Sequence, residues 1–393
     1  MKQITQPVLR DIVLVGGGHT HVGVLRNFAM KPMPGVRLTV VCRDTHTPYS
    51  GMLPGYIAGH YTYDDVHIDL RRLAEFAGAR FFRSEVVGFD RRTHQVLCND
   101  RPPVRYDRLS INIGSTPKLT DAGSQSTRAV AVKPINQFNA RWLALLARVR
   151  SRPGPMHIAL VGGGAGGVEL LLAMQYRLCH ELKRLGQDPN ALKFSLFTRG
   201  AAILPTHSHR VQQRFTHTLQ ARGVRLHINA AVTAVDEQGL TTSNGEHHLA
   251  DEVIWVTRAG GASWLQDTGL ALDADGFIQV TDTLQTVTDP HVFAAGDIAT
   301  MINHPREKAG VFAVRQGPPL ARNLRLSLED KPLRNYYPQR RWLALISTGD
   351  QYAVGSRGDF SAAGAWLWRW KDHIDRRFMS KFNDLPAMQE KPN

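Results

Sequence analysis

The stretch Asp11-Ile-Val-Leu-Val15-Gly16-Gly17-Gly18-His19-Thr20-His21 and its later counterpart, His157-Ile-Ala-Leu-Val161-Gly162-Gly163-Gly164-Ala165-Gly166-Gly167, decide the fold. Each is a short apolar run of strand type that ends in a glycine turn where a helix can begin. That order lets backbone N–H groups approach a pyrophosphate at the positive end of a helix dipole. The second stretch meets G-x-G-x-x-G in full at Gly162, Gly164 and Gly167. The first has Gly16 and Gly18, but His21 where a third glycine would allow close helix–strand packing. Two such units predict an α/β chain with two Rossmann-like dinucleotide-binding domains and two dinucleotides.

Further along come Tyr106-Asp107-Arg108-Leu109, Gly114-Ser115-Thr116-Pro117 and Val292-Phe293-Ala294-Ala295-Gly296-Asp297. With these the chain resembles the two-dinucleotide flavoproteins of the pyridine nucleotide–disulfide oxidoreductase superfamily. The resemblance implies FAD on Gly16, Gly18, Gly114, Gly296 and Asp297, and NAD(P)H as electron donor on Gly162, Gly164 and Gly167. Within that superfamily the chain is similar to the type II NADH dehydrogenase-like branch, especially flavoproteins found alone or fused ahead of selenide, water dikinase. Thr47-Pro48-Tyr49-Ser50-Gly51-Met52-Leu53-Pro54-Gly55, Lys308-Ala309-Gly310-Val311-Phe312-Ala313-Val314-Arg315-Gln316-Gly317 and Ser347-Thr348-Gly349-Asp350 carry this likeness. The implied organisation is an FAD domain over 1–130, an inserted NAD(P)H domain over 131–257, a returning FAD segment over 258–328 and a C-terminal region over 329–393.

Composition agrees with a soluble or peripheral enzyme: 393 residues, 42% hydrophobic and 21% charged, can bury a substantial core. Met1–Arg10 has no apolar core of signal-peptide length, and no run reaches the roughly 18 apolar residues of a spanning helix. The expected location is cytoplasmic or peripheral on the inner face of the cell membrane. Cys42, Cys98 and Cys179 are widely separated and form no C-x-x-C pair. Electrons are therefore expected to pass from nicotinamide to flavin to an external acceptor without a protein disulfide.

The strand after each glycine loop usually ends on an acid that accepts hydrogen bonds from the adenosine ribose. After the first loop that place reads Cys42-Arg43-Asp44, with Asp44 two positions late; after the second it reads Thr198-Arg199-Gly200. Arg199 suits a 2′-phosphate and tilts the donor toward NADPH, while a solvated turn arginine is the alternative, so NAD(P)H stays open. Arg258 stands where the resemblance expects a glycine, leaving the reading of a degenerate nicotinamide site alive.

Glu169 follows the full fingerprint in what reads as the first helical turn, and in similar flavoproteins this acid faces nicotinamide and flavin. Stabilisation of the helix N-terminus is its structural alternative. Lys133 is a weaker hinge candidate. Tyr49, Ser50, Gly51 and Met52 lie in a Pro-, Gly- and aromatic-rich loop that the resemblance runs past the isoalloxazine. Gln316, read as opening a helix after Arg315, is placed by the same resemblance near the flavin pyrimidine. His19 and His21 fit a diphosphate loop better than a metal site, because no Cys or acidic cluster accompanies them.

Near the C-terminus, Leu367, Trp370, Ile374 and Phe378 fall on one face of a helix over 364–382, with Arg369, Lys371, Arg376, Arg377 and Lys381 beside them. Aromatic basic helices rest among lipid headgroups, and the net charge of +14 points to an anionic membrane surface. No nucleic-acid motif appears. The alternative is packing on the enzyme body or on a second copy in a homodimer. The leading function is an NAD(P)H:quinone oxidoreductase; the alternative is a soluble flavoprotein redox partner in selenium metabolism, linked to selenophosphate synthesis.

Overall fold

A computed structural model describes residues 7–117, 129–132, 135–151, 154–256 and 259–386. Arg10–Val15 is a strand because Ile12, Val13 and Leu14 are wholly buried and Val15 nearly so. It forms the centre of a parallel sheet in which Val292–Ala294 and Arg108–Ile111 lie on one side and Val36–Cys42 and Arg80–Arg83 on the other. Met156–Val161 is the centre of a second parallel sheet, with Ala129–Ala131 and Glu252–Trp255 on one side and Leu192–Phe197 and Arg225–His227 on the other. Strand order therefore reverses at each glycine-loop strand. The crevice beyond the carboxyl end of such a strand is where open α/β sheets take ligands.

The helix His19–Met30 leaves the first loop and packs against Gly310–Leu328, with Gly23 and Gly317 facing each other where the two backbones come closest. The helix Ala165–Arg184 leaves the second loop and buries Val168, Leu171, Leu172 and Leu178. Leu53–Ala58 packs on this helix, so Leu53 and Ile57 belong to the second core although they directly follow the Tyr49–Met52 loop.

Residues 341–386 are an integrated folded unit. Three antiparallel strands, Ala344–Ser347, Ala353–Arg357 and Phe360–Gly364, run into the helix Ala365–Asn383. Ile346 and Val354 join the second core, whereas Met379 and Phe382 of the helix join the first. Each fully buried aliphatic or aromatic side chain of this kind contributes about 1.5–3 kcal/mol, so the unit ties the two sheets together.

The helix carries two faces where sequence spacing predicts one apolar stripe. Leu367 is buried and Phe378 packs inward, while Trp366, Trp370 and Ile374 are exposed. The buried face is centred on Leu367, Asp375, Met379 and Phe382. The expected charge set divides likewise: Lys371 pairs with Asp375 and Arg376 with Asp372, leaving Arg369, Arg377 and Lys381 outward. Among the described residues, no helix is long and apolar enough to cross a membrane.

Candidate functional site

The two glycine loops share one backbone frame. Gly16 N–H donates to Val41 O and Gly162 N–H to Phe197 O, both at 2.9 Å; Asn112 N–H donates to Val15 O and Val256 N–H to Val161 O, both at 2.8 Å. Gly16 has φ +92° and Gly162 φ +135°, and a Cβ on either would run into the backbone of Asn112 or Val256. Only glycine makes these turns without strain.

Side chains then set the loops apart. Asn112, almost fully buried, accepts the N–H groups of Thr20 at 3.1 Å and His21 at 3.2 Å, and its amide donates to Ala295 O at 2.7 Å. One residue thus joins the start of the first helix to the Ala295-Gly296-Asp297 turn. His21 fills the third-glycine position: Nδ1 lies 2.7 Å from Gly16 O and Nε2 2.8 Å from Ser110 Oγ. A carbonyl can only accept, so Nδ1 carries the proton and Ser110 donates to Nε2. Burial lowers the His21 pKa to about 4 and keeps the ring neutral.

The second loop lacks these staples. Gly167 packs against Gly162 O, and the space beside Gly164 and Gly166 is open. The two cradles thus fit two diphosphates, one against a pre-bonded loop and one against a helix start with free space before it.

On the first side, Gly114 is open at φ +73° and Gly296 begins the turn that carries Asp297. Gln316 accepts the Gly296 N–H at 2.6 Å. It stands inside the helix Gly310–Leu328 rather than opening it, because the apolar run Val311–Val314 is already helical. Lys308, which sequence reasoning missed, lies in the same cleft as Asp297 and Gln316. It donates to Ala299 O at 2.6 Å and Thr300 Oγ1 at 2.9 Å, and burial lowers its pKa to about 8 against the pull of Asp273 and Asp297.

The loop after Pro48 meets the terminal helix. Tyr49 stacks near Phe378 at 4.5 Å and lies 5.4 Å from the His19 ring. Ser50 is exposed and faces Gly310, while Gly51 O accepts from Lys371 Nζ at 2.5 Å. Met52 is fully buried in the core, where it precedes the helix Leu53–Ala58 instead of lining an open wall. Burial and the neighbouring Asp375 push the Tyr49 hydroxyl pKa upward.

Glu169 reaches this junction from the second loop. It lies one turn inside the helix Ala165–Arg184, later than the first-turn placement the fingerprint spacing suggests, because the helix begins at Ala165. Its Oε1 accepts the Ser347 N–H at 2.6 Å. Burial raises its pKa to about 7, with Lys371 and the Ser347 N–H opposing and Asp375 adding to the rise. Glu169, Lys371, Asp375 and Tyr49 come from three distant stretches of chain, and only the first and last carry a sequence signal.

Asp44 is held 3.3 Å from Arg43 beyond the strand Val36–Cys42, and Arg199 is exposed beyond Leu192–Phe197. Lys133 and Arg258 lie outside the described residues. Among the described residues, no group of three or more His, Cys, Asp or Glu could hold a metal ion.

Known proteins repeat this architecture. The chain is 23% identical to the NADH dehydrogenase-like protein YutJ of Bacillus subtilis over 93% of its own length and 99% of the relative's. It is 22% identical to a type II NADH:quinone oxidoreductase of Staphylococcus aureus over 84% of both chains. In fold it is similar to NDH2 from Plasmodium falciparum in complex with NADH, with a TM-score of 0.80, 14% identity and coverage of 97% and 100%. The sulfide:quinone oxidoreductase of Aquifex aeolicus gives a TM-score of 0.79 at 18% identity, covering 97% and 94%. Residues 10–323 match the pyridine nucleotide-disulphide oxidoreductase family, and the chain belongs to it.

Proposed function

We propose that this protein is an FAD-dependent NAD(P)H oxidoreductase that passes hydride from nicotinamide to flavin and two electrons onward to a quinone. The observation that carries this reading is the pair of parallel sheets of matching strand order, each presenting a glycine loop at its switch point, with Glu169 of the second loop's helix beside Lys371 and Asp375 of the terminal helix. FAD belongs to the 1–130 and 258–328 segments, on Gly16, Gly18, His19, Gly114, Gly296 and Asp297. NAD(P)H belongs to 131–257, on Gly162, Gly164 and Gly167, with Arg199, exposed beyond the strand Leu192–Phe197, as the residue to meet a 2′-phosphate.

When bound, the flavin supplies the hydride acceptor and the electron store. The chain supplies orientation and proton handling. Glu169, with a pKa near 7, exchanges a proton within the working range, as a group serving an acceptor that gains protons should. Lys371 fixes the Gly51 carbonyl and the Asp375 carboxylate around it. Cys42, Cys98 and Cys179 sit on separate elements, which suits a route without a protein disulfide.

The outward stripe of Trp366, Trp370 and Ile374, with Arg369, Arg377 and Lys381, suits an anionic membrane surface, each cation contributing roughly 1 kcal/mol. The relatives named above offer no support for the selenium alternative.

Anaerobic stopped-flow mixing with NADH and NADPH tests the first half-reaction: the flavin should bleach, then regain colour with a short-chain quinone. A flavin that neither nucleotide reduces would overturn the reading. Replacing Trp366, Trp370 and Ile374 by serine should lower binding to anionic liposomes and leave bleaching unchanged. Truncation before Trp366 is a poorer test, since it also removes Phe378, Met379 and Phe382 from the core side.

A further inference from the structure

The Ser347-Thr348-Gly349-Asp350 string lies far from both glycine loops in sequence, yet its turn is pressed onto the helix Ala165–Arg184. Gly349 has φ +87°, and a Cβ there would stand 2.6 Å from Leu172 O and 3.0 Å from Ala173 Cα. Leu172 and Ala173 share a helix face with Glu169, one turn away. Hydrogen bonds from outside and within hold the turn in place. Arg222 donates to Thr348 O at 2.7 Å and to Asp350 Oδ2 at 2.6 Å, and His60 Nε2 lies 2.8 Å from Gly349 O. Within the turn, Thr348 N–H donates to Tyr352 O at 2.9 Å. The result is a Ser347 N–H aimed at Glu169 Oε1.

We propose that the Ser347–Asp350 turn is a positioning element for Glu169, fixing the orientation of this carboxylate from a segment outside the nucleotide-binding sheets. The inference rests on the placement of Glu169 at the nicotinamide–flavin junction. The N–H donates only to the carboxyl, favours its ionised form and selects one orientation of it. The charged groups that face Glu169 are Lys371 and Asp375 of the terminal helix, with Tyr49 behind Asp375. None belongs to the turn, so loosening the turn removes the N–H and leaves these groups in place.

The test compares the thermal midpoint of the full-length protein with that of its Glu169→Gln variant across pH. A glutamate whose pKa rises on folding makes the native chain lose stability, relative to the Gln variant, as pH climbs from the ordinary carboxylate range, and the loss levels off above the folded pKa. Levelling is expected near pH 7. In a Gly349→Ala background it should move up by about one unit, because a hydrogen bond to the ionised form is lost. Arg222→Met, which leaves Gly349 in place, should give a smaller shift of the same sign and decides the matter if the alanine variant does not fold. The pH profile of flavin reduction should move with it. Lower stability with an unmoved levelling point in these variants would make the turn a structural brace only and overturn the proposal. A flavin that no nicotinamide nucleotide reduces would instead remove the functional reading, while the thermal comparison still decides whether the turn governs Glu169.

Discussion

At the first glycine loop a buried asparagine already occupies two N–H groups of the helix start, while at the second loop the equivalent residue is Val256 and the space before Gly164 is open. The backbone frame is shared, so the difference lies in what each loop does before a ligand arrives. Asn112 and His21 make the first loop rigid and partly self-satisfied, as suits a nucleotide that stays. The second keeps free space at its helix dipole, as suits one that comes and goes.

The largest effect expected from breaking this contrast is at Asn112. Asn112→Leu strands the N–H groups of Thr20 and His21 in a buried site and cuts the link to Ala295, at about 1–3 kcal/mol per orphaned donor. FAD affinity should fall roughly 100-fold, seen as a low flavin-to-protein absorbance ratio after desalting. Asp297→Ala should also lower occupancy; full retention in both variants would remove the first loop from the flavin site.

His21 comes next. Its pKa is lowered to about 4 on folding, so the unfolded chain binds a proton that the native chain refuses. Stability should therefore fall as pH drops from the ordinary histidine value toward 4. His21→Leu should lower stability by about 2 kcal/mol at neutral pH and abolish that acid-side slope in thermal melts. A slope that persists in the variant would assign it to another group.

At the second loop the effects are smaller. Val256→Asn places an amide where Asn112 sits in the first and should weaken NAD(P)H binding by about tenfold through competition for the helix N–H groups, measured by nucleotide titration of the oxidised protein. Arg199→Glu should weaken NADPH more than NADH, also by about tenfold, since a charge-assisted pair becomes a repulsion. Equal loss with both nucleotides would take Arg199 out of the site.

Much of the frame was legible in the sequence because it rests on local chemistry: a glycine turn after an apolar strand has few other uses, and Gly16, Gly162 and Gly296 each sit where the motif puts them. Asn112 was not, since a polar residue closing a strand has no signature until three separate stretches converge on it. Lys371 read only as one of five basic charges beside an apolar stripe, and Asp375 carried no signal; they pair with each other at 13% and 6% side-chain exposure. The terminal helix misled because Leu367 and Phe378 differ from Trp370 and Ile374 by a small rotation about the helix axis. Spacing fixes a stripe but not which edge of it meets the protein.

The placement of Val292–Ala294 at the edge of the first sheet, with Met379 and Phe382 in the same core, governs how the protein is made. During synthesis the strand Arg108–Ile111 leaves the ribosome with one edge unpaired, and its neighbour follows only after the whole second sheet has been translated. Such long-range pairing is slow, and an open parallel edge is prone to mispairing. The second sheet, whose strands all lie between residues 129 and 255, can form first. The cradle at the first glycine loop is then completed by segments that lie on either side of the second sheet in sequence, so a ligand there is gripped only after that sheet has been translated.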